Sequence, residues 1–369
     1  VGNGDTSQIV LDNGKRILFD YRHLKKTENG EGPEIDLKGR LKEDLKRAER
    51  SSFDVVAFTH GDKDHIENST EFFELRHAPK YQDNGRIKIE DLWVPAAMIL
   101  ETATNDQQSD EFVIWRREAR QRLKEGKGIR VFSRPDKLKA WLEENGLTIE
   151  DRKHLITDAG QMVPGFSLEK DGVEFFCHSP FIKHVDEGDD LRNDASLIFN
   201  VRFKVGENTF DYLAVGDSTW EVLEDIVQIT KAHKNEDRLA WDLYNIPHHC
   251  SYLALSDDKG DFETTPKPLV KELLLAGKEG AYIVSSSRPI EDTRAGREQQ
   301  QPPHIQAKKC YKRYLDEVGG AKFLVTMEEP NKDKPEPLVF SVGSDGITLE
   351  KAIKSAPAII VSHSAPRAG

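Results

Sequence analysis

The feature that most constrains this chain is a dense group of potential metal ligands at residues 59–65, which read Thr-His-Gly-Asp-Lys-Asp-His. Residues 53–58, just before the group, are mostly apolar and predict a short buried strand. Imidazole and carboxylate side chains are ligands that suit zinc or manganese. The candidate metal ligands in this segment are His60, Asp62, Asp64 and His65. The pattern therefore predicts a metal site where a strand ends.

The spacing within residues 59–65 predicts how these side chains are distributed. Side chains two residues apart on an extended backbone point the same way, so His60, Asp62 and Asp64 can share one side. Asp64 and His65 are adjacent and diverge, which suits two ions on either side of one loop. Gly61 allows a tight backbone path between them. The alternative is a polar surface loop, which such a dense cluster directly after an apolar strand makes the less favoured interpretation.

A site with two metal ions needs a bridging carboxylate, and Asp217 is the candidate. It follows the apolar run 212–215, again at the junction of a predicted strand and a loop. Asp217 alone would be interpreted as the N-cap of the helix that begins near Trp220. Beside the first cluster, the bridging role is the favoured prediction.

Four histidines are further candidates. His248 and His249 follow a short predicted strand at 243–246, and their side chains diverge, so one would bind metal while the other contacts substrate. A structural role for His249 is an equal alternative, and Cys250 is interpreted as a buried thiol without a metal.

His178 follows the predicted strand 173–177 and is a candidate third ligand of the first ion; a hydrogen-bonded loop histidine is the alternative. His304 begins a predicted helix, where it would complete the second ion's ligands, contact a substrate phosphate, or simply be exposed.

The arrangement of predicted elements favours an α/β sandwich of two mixed sheets covered by helices. An Asn13-Gly14 turn predicts an N-terminal hairpin. Residues 67–152 are less regular and are predicted to be a helical insertion in a single domain that spans residues 1–355, followed by a tail at 356–369. The predicted strands are 6–11, 16–19, 53–58, 173–177, 195–205, 209–215, 243–246 and 281–285, with a last hairpin at 337–350. The predicted helices are 37–51, 110–125, 136–144, 220–233, 268–277 and 304–318.

Composition excludes several classes of protein. The formal net charge is −12 over 369 residues, which argues against sequence-independent coating of DNA but permits an anionic substrate, because bound metal ions supply local positive charge. The three cysteines do not suggest a disulfide framework, so we expect a reducing, cytoplasmic location. Apolar runs are of strand length, and we expect no membrane span.

These segments, in this order, resemble the metallo-β-lactamase superfamily, and most nearly the ComEC-type competence hydrolase domain. The matching segments are 1–7 with the hairpin 12–20, then 59–66, 193–197 with 215–217, and 247–251. The resemblance implies an αββα metallo-β-lactamase sandwich with a metal site at one edge, between the sheets.

Ligand roles follow from the resemblance as expectations. His60 and Asp62 would bind one metal, Asp64 and His65 the other, with Asp217 as the bridge and His248 as a further ligand. His178 and His304 fall near positions where relatives place histidines. Asp62 stands where the common pattern has histidine, which shifts the preference from zinc toward manganese or magnesium. Asp5 also matches the family, but a turn-forming aspartate is the alternative, and it is not predicted as a ligand.

The predicted function is hydrolysis by a metal-bound hydroxide at a site with two divalent ions, zinc or manganese. The favoured substrate is a phosphodiester, DNA or RNA among them, with Asp64 and His249 as catalytic residues that move protons. Residues 285–288, Ser-Ser-Ser-Arg, are a candidate phosphate contact. One alternative is hydrolysis of a small ester, lactone or amide. Another is a metal-bearing sensor or binding module that contacts partner proteins through residues 67–152.

Overall fold

The two sheets of this protein are built from separate halves of the chain. In the computed structural model, residues 2–83, 85–101, 109–186 and 194–350 are described, and the predicted tail at 356–369 lies outside them. The strands are β1 (Ser7–Val10), β2 (Arg16–Phe19), β3 (Ser52–Ala57), β4 (Lys88–Pro95), β5 (Ile129–Phe132), β6 (Ile156–Thr157), β7 (Val173–Ser179), β8 (Ile198–Val205), β9 (Asn208–Val215), β10 (Trp241–Asn245), β11 (Gly277–Ser285), β12 (Lys322–Val325), β13 (Phe340–Gly343) and β14 (Gly346–Leu349). The α-helices are α1 (Leu37–Arg47), α2 (Lys63–Ile66), α3 (Ser69–Phe72), α4 (Ala96–Leu100), α5 (Asp110–Glu125), α6 (Asp136–Glu144), α7 (Ile149–Arg152), α8 (Ile182–Asp186), α9 (Trp220–Ala232), α10 (Pro268–Leu275), α11 (Arg294–Glu298) and α12 (Ile305–Glu317). Short 3-10 helices lie at Lys25–Asn29, Pro79–Tyr81, Lys153–Leu155, Glu236–Arg238 and Tyr252–Ala254.

Each large sheet has six strands and mixes parallel with antiparallel pairing. The first has the order β1-β2-β3-β4-β5-β6, in which only β1 and β2 are antiparallel. The second has the order β12-β11-β10-β9-β8-β7, with antiparallel pairs β7–β8 and β8–β9 and parallel pairs from β9 to β12. Strands β13 and β14 form a separate hairpin.

Three hydrophobic clusters hold the layers together. Between the sheets, Phe19 and Trp93 of the first sheet pack with Phe175 and Phe199 of the second. A second cluster joins the first sheet to α1, α4, α5 and α6, and a third joins the second sheet to α9, α10 and α12. Burial of apolar side chains on both faces of both sheets is the dominant stabilising contribution. The predicted α/β architecture, two sheets flanked by helices, is confirmed.

Residues 67–152, predicted as a helical insertion, also contribute strands to the first sheet. This stretch supplies β4 and β5, which lie inside the first sheet, together with the predicted helices α5 and α6. Strand β4 has exposed Lys88 and Glu90 in its first half, so its sequence lacks the continuous apolar run of a buried strand. None of the helices in the described ranges is long and apolar enough to cross a membrane.

The pairing of parallel strands brings the predicted site together. The carboxyl ends of parallel strands meet at one edge of a sheet, and the loops that follow them are adjacent there. Asn245 pairs with Ala214 on one side and Val284 on the other, so the loops after β9, β10 and β11 are neighbours. In the first sheet Phe19 pairs with Ala57, which places the loops after β2 and β3 side by side.

Candidate metal centre

Four side chains, two from helix α2 and two from the loops after β9 and β10, converge where the two sheets meet. The ligand atoms of Asp64, His65, Asp217 and His249 all lie within 4.8 Å of one another. His249 Nε2 lies 3.1 Å from Asp64 Oδ2 and 3.5 Å from Asp217 Oδ2. His65 Nε2 lies 3.3 Å from Asp217 Oδ1. The two oxygens of Asp217 therefore face different histidines, at the centre of the group.

Both histidines of this group have their other ring nitrogen engaged. His65 Nδ1 lies 2.7 Å from Asp20 Oδ2, and His249 Nδ1 lies 3.0 Å from the Ser286 carbonyl oxygen. A carboxylate and a carbonyl both accept hydrogen bonds, so each imidazole donates from Nδ1 and presents Nε2 to the cluster. This tautomer is the one in which Nε2 can bind a cation.

Asp20 holds the first ligand loop as well as His65. Its Oδ1 accepts from the Thr59 backbone N–H at 2.7 Å, and its Oδ2 accepts from the Thr59 hydroxyl at 2.6 Å. Asp20 is 1% exposed and sits directly after β2. Sequence reasoning missed it as a site residue, and its position after a strand that pairs with β3 was the available signal.

The loop that carries His249 has an uncommon backbone. His248, His249 and Cys250 have consecutive positive φ angles of 51°, 51° and 68°. Left-handed conformations of residues other than glycine are unfavourable and cluster at functional sites. The His304 backbone N–H donates to the Cys250 carbonyl at 3.0 Å, and the Tyr252 N–H donates to His304 Nδ1 at 3.3 Å. Through these two hydrogen bonds, His304 stabilises the loop that carries His249.

The charges in the cluster depend strongly on one another. Burial lowers the pKa of His249, but Asp217, the hydrogen bond with Asp64 and the charge of Asp5 outweigh it and raise that pKa to about 9. Burial likewise opposes the charged form of His65, yet Asp20 and Asp217 raise its pKa well above the usual value. Burial raises the pKa of Asp64, but His249 and His65 hold it far below its ordinary range. The cluster therefore favours bound positive charge. When no metal is present, protons on His249 and His65 supply that charge.

His60, Asp62 and His248 lie beside the four-residue group. His60 Nε2 is 3.7 Å from Asp62 Oδ2, and the His60 and His65 rings are 4.0 Å apart. His248 Nε2 lies 4.0 Å from Asp217 Oδ2, and its side chain is 22% exposed. The structure therefore places His249, rather than His248, among the four converging residues.

The structure does not bring His178 or His304 into the cluster. His178 Nε2 lies 2.9 Å from the Arg238 carbonyl oxygen, and its Nδ1 is 3.4 Å from the Thr230 hydroxyl of α9. The His304 ring contacts the Gln300 carbonyl oxygen and the Tyr252 N–H. Burial lowers the pKa of each of these two histidines to about 4, so both rings are neutral. The ring nitrogens of both residues are engaged elsewhere, so neither of these predicted ligands lies in the four-residue group.

Asp5, which was not predicted as a ligand, lies beside the cluster, because its carboxylate and the ligand atoms of Asp20 and His65 are within 4.8 Å of one another. It is 6% exposed, and its Oδ1 has no hydrogen-bond partner among the described residues. Burial is the main cause that raises its pKa to about 6, with the charges of His249 and His65 acting in the opposite direction.

The donor set fits a divalent cation. Buried polar atoms are normally hydrogen-bonded, and an unpaired one is unfavourable. Five buried imidazole and carboxylate atoms in and around the cluster lack a hydrogen-bond partner within the part of the chain that is described: Asp5 Oδ1, His60 Nε2, His65 Nε2, His248 Nδ1 and Asp217 Oδ1. Imidazole nitrogens and carboxylate oxygens in this mixture suit zinc and manganese.

Comparisons with solved structures find distant similarities. The metallo-β-lactamase GOB-18 from Elizabethkingia meningoseptica aligns with 85% of this chain and 82% of its own, at 13% identity and a TM-score of 0.32. The class B3 di-zinc metallo-β-lactamase LRA-12 from an Alaskan soil metagenome aligns with 85% of this chain and 84% of its own, at 11% identity and a TM-score of 0.32. A diphosphatase of the PhnP family aligns with 90% of this chain and 79% of its own, at 10% identity and a TM-score of 0.31.

No protein-family model matches the sequence, and no curated protein matches it either. The ComEC-type resemblance expected from the sequence is not confirmed by these comparisons.

Proposed function

We propose that this chain is a metal-dependent hydrolase that cleaves phosphodiesters, with Asp64, His65, Asp217 and His249 as ligands of one divalent ion. The observation that carries the proposal is that two imidazole Nε2 atoms and two carboxylates converge within 4.8 Å, each imidazole held through Nδ1. A bound ion supplies activation of water and stabilisation of the negative charge that develops on the substrate.

A second ion position is proposed beside the first. His60 and Asp62 would be its donors, and Asp217 would be shared with the first ion, since its buried Oδ1 has no hydrogen-bond partner among the described residues. His248 is the fourth candidate, since its Nδ1 is buried without a partner in the described residues and its Nε2 lies toward Asp217. Zinc and manganese are the proposed metals, with manganese favoured by the carboxylate at position 62.

Residues of the chain have distinct proposed roles in the reaction. The Asp64 side chain is 35% exposed, so its Oδ2 lies on the solvent-facing side of the four-residue group. It would accept the proton from the attacking water. His248 is partly exposed and donates a hydrogen bond to a substrate oxygen or to the leaving group. Asp20 and Ser286 keep the two ligand histidines in the correct tautomer.

The position of Arg288 favours a phosphodiester as the substrate. It is exposed, and its backbone N–H donates to Asn3 Oδ1 at 2.8 Å, two residues from the Ser286 carbonyl that holds His249. Among the described residues its guanidinium has no ion-pair partner, which leaves it free for an anion. Guanidinium groups bind phosphate oxygens with two parallel hydrogen bonds.

A small ester, lactone or amide is the second candidate substrate. One specific observation favours it: the small crevice beside His60 is lined mainly by apolar side chains, Pro95, Met98 and Phe112 among them, together with Glu101. An apolar wall next to a metal centre suits an acyl group better than a phosphodiester backbone.

The test is a substrate panel with metal-free protein reloaded with Mn²⁺, Mg²⁺ or Zn²⁺. The panel contains bis-p-nitrophenyl phosphate, single- and double-stranded DNA, RNA, p-nitrophenyl acetate and a lactone. We expect metal-dependent phosphodiester cleavage that Asp217→Asn abolishes and whose KM rises in Arg288→Ala. Cleavage of the ester or lactone alone would favour the second candidate. Metal-dependent stabilisation without turnover of any substrate would indicate a binding module instead.

A further inference from the structure

The N-terminal segment at residues 2–6 lies between the two parts of the chain that form the metal centre and contacts both of them. The Asn3 side chain accepts from the Arg288 N–H at 2.8 Å and donates to the Pro302 carbonyl at 2.8 Å, both in the second half of the chain. On the other side, Arg22 donates to the Asn3 carbonyl, and a Cβ at Gly4 would lie 2.7 Å from the Asp64 carbonyl oxygen. The backbone around Asp5 is therefore held by contacts on both sides.

Asp5 has a buried carboxylate oxygen without a hydrogen-bond partner. The side chain is 6% exposed, and Oδ1 is buried and unpaired among the described residues. A buried ionised carboxylate is unfavourable unless a cation or hydrogen bonds compensate it. The charged groups that act on it most strongly are His249, His65 and Asp217, three of the four residues of the metal cluster.

The neighbouring carboxylate of Asp20 is in a different situation. Asp5, Asp20 and His65 also lie within 4.8 Å of one another through their ligand atoms. However, both oxygens of Asp20 accept hydrogen bonds, from Thr59 and from His65 Nδ1. These three residues therefore do not form a separate cation site, and of the two carboxylates only Asp5 has a buried oxygen without a hydrogen-bond partner among the described residues.

We propose that Asp5 is an additional anionic residue of the metal centre, whose charge increases the affinity of the Asp64–His65–Asp217–His249 cluster for a divalent cation. In a buried site of low dielectric constant, a nearby negative charge stabilises a bound cation much more than it would in water. Without metal, the unfavourable burial of this charge outweighs its attraction to His249 and His65, so the ionised carboxylate destabilises the metal-free fold. A residue with a purely structural role would stabilise the fold in both states.

The test compares the wild type, Asp5→Asn and Asp12→Asn, which removes the same charge from an exposed hairpin turn. Each protein is stripped with a chelator, melted without metal, and titrated calorimetrically with Mn²⁺ at pH 8. We expect Asp5→Asn to lower the Mn²⁺ affinity by about tenfold or more while its metal-free melting temperature stays the same or rises. Asp12→Asn should bind like the wild type.

Asp5→Ser is a second variant that removes the charge with a smaller side chain, and it should show the same loss of affinity. This inference rests on the metal binding in the proposed function. The experiment gives one result if the metal centre is wrong and another if only the role of Asp5 is wrong. A wild type that binds no Mn²⁺ overturns the proposed metal centre itself. A wild type that binds, with unchanged affinity in Asp5→Asn, overturns the role of Asp5 alone. Failure of both Asp5 variants to fold would overturn it too, because the carboxylate would then be a structural requirement.

Discussion

Asp20 Oδ2 and His65 Nδ1 lie 2.7 Å apart in a contact that is almost completely buried. The carboxylate fixes the ring so that Nε2 points toward Asp217, and it stabilises positive charge on the imidazole. Hydrogen bonds to the outer nitrogen of a ligand histidine usually increase its affinity for metal, because they orient the ring and make it more basic.

Asp20→Asn should weaken metal binding by about 10–100-fold, the usual consequence of removing such a partner. The amide keeps the shape but accepts less strongly, and one of its ends would donate rather than accept near Thr59. Calorimetric titration with Mn²⁺ measures the affinity, and circular dichroism checks that the fold persists. A folded Asp20→Asn protein with wild-type affinity would contradict the orienting role.

The stability of the metal-free protein should fall as pH rises from about 6.5 to about 9. The pKa of His249 is raised from 6.5 to about 9, so its protonated form stabilises the fold fully below pH 6.5, and that contribution is lost on passing pH 9. His65 changes in the same direction. Melting curves in chelator across this pH range measure the effect.

Mn²⁺ affinity should change in the opposite direction over the same pH range. The metal must displace the proton from His249, so binding strengthens as pH rises. His249→Gln, which removes the titrating group, should flatten the stability profile. A wild-type stability profile that is already flat between pH 6.5 and 9 would show that His249 is not protonated in the metal-free cluster.

The sequence predicted those parts of the fold that have strong local patterns. The predicted limits of β2, α5 and α6 coincide with the structure, because apolar periodicity and clear end signals define them. Strand β5, Ile129–Phe132, has only four residues, and Arg130 interrupts them, so its sequence lacks the longer apolar run that marks a buried strand. Such short central strands are specified by their neighbours, here β4 and β6, rather than by their own residues.

The site was predicted where its signal is local and missed where it depends on pairing. Asp64 and His65 lie in the ligand-rich segment that follows β3, Asp217 lies two residues after β9, and the cluster contains all three. His178 has the same local context, but it lies on β7 at the edge of the second sheet, and its ring faces α9. Asp20 becomes a site residue only through the register that pairs Phe19 with Ala57, which no single segment reveals.

His178→Gln should separate the structural role of this residue from a metal role. The variant disrupts the contact with the Arg238 carbonyl in a buried position, which we expect to lower the free energy of unfolding by about 1–3 kcal/mol. The increase in melting temperature on adding Mn²⁺ should stay as in the wild type. His249→Gln is the matched comparison and should lose that increase. Loss of the Mn²⁺ effect in His178→Gln would restore His178 as a ligand.

Gly61→Ala should destabilise the protein because α5 packs directly onto the ligand loop. A Cβ at Gly61 would lie 2.1 Å from Phe112 Cδ2 and 2.2 Å from Cε2, and overpacking of this kind typically costs about 1–3 kcal/mol of unfolding free energy. Gly343→Ala is the control, since nothing lies within 4 Å of its added methyl group. Urea denaturation of both variants measures the difference.

Combining Gly61→Ala with Phe112→Leu tests whether the aromatic ring is the cause. Two substitutions in direct contact are not additive, so the smaller side chain should recover part of the stability lost in Gly61→Ala. The double variant should also bind Mn²⁺ more tightly than Gly61→Ala does, because the segment that carries Asp64 and His65 returns to its position. Additive losses would mean that Gly61 is required for its backbone conformation and that Phe112 merely lies nearby.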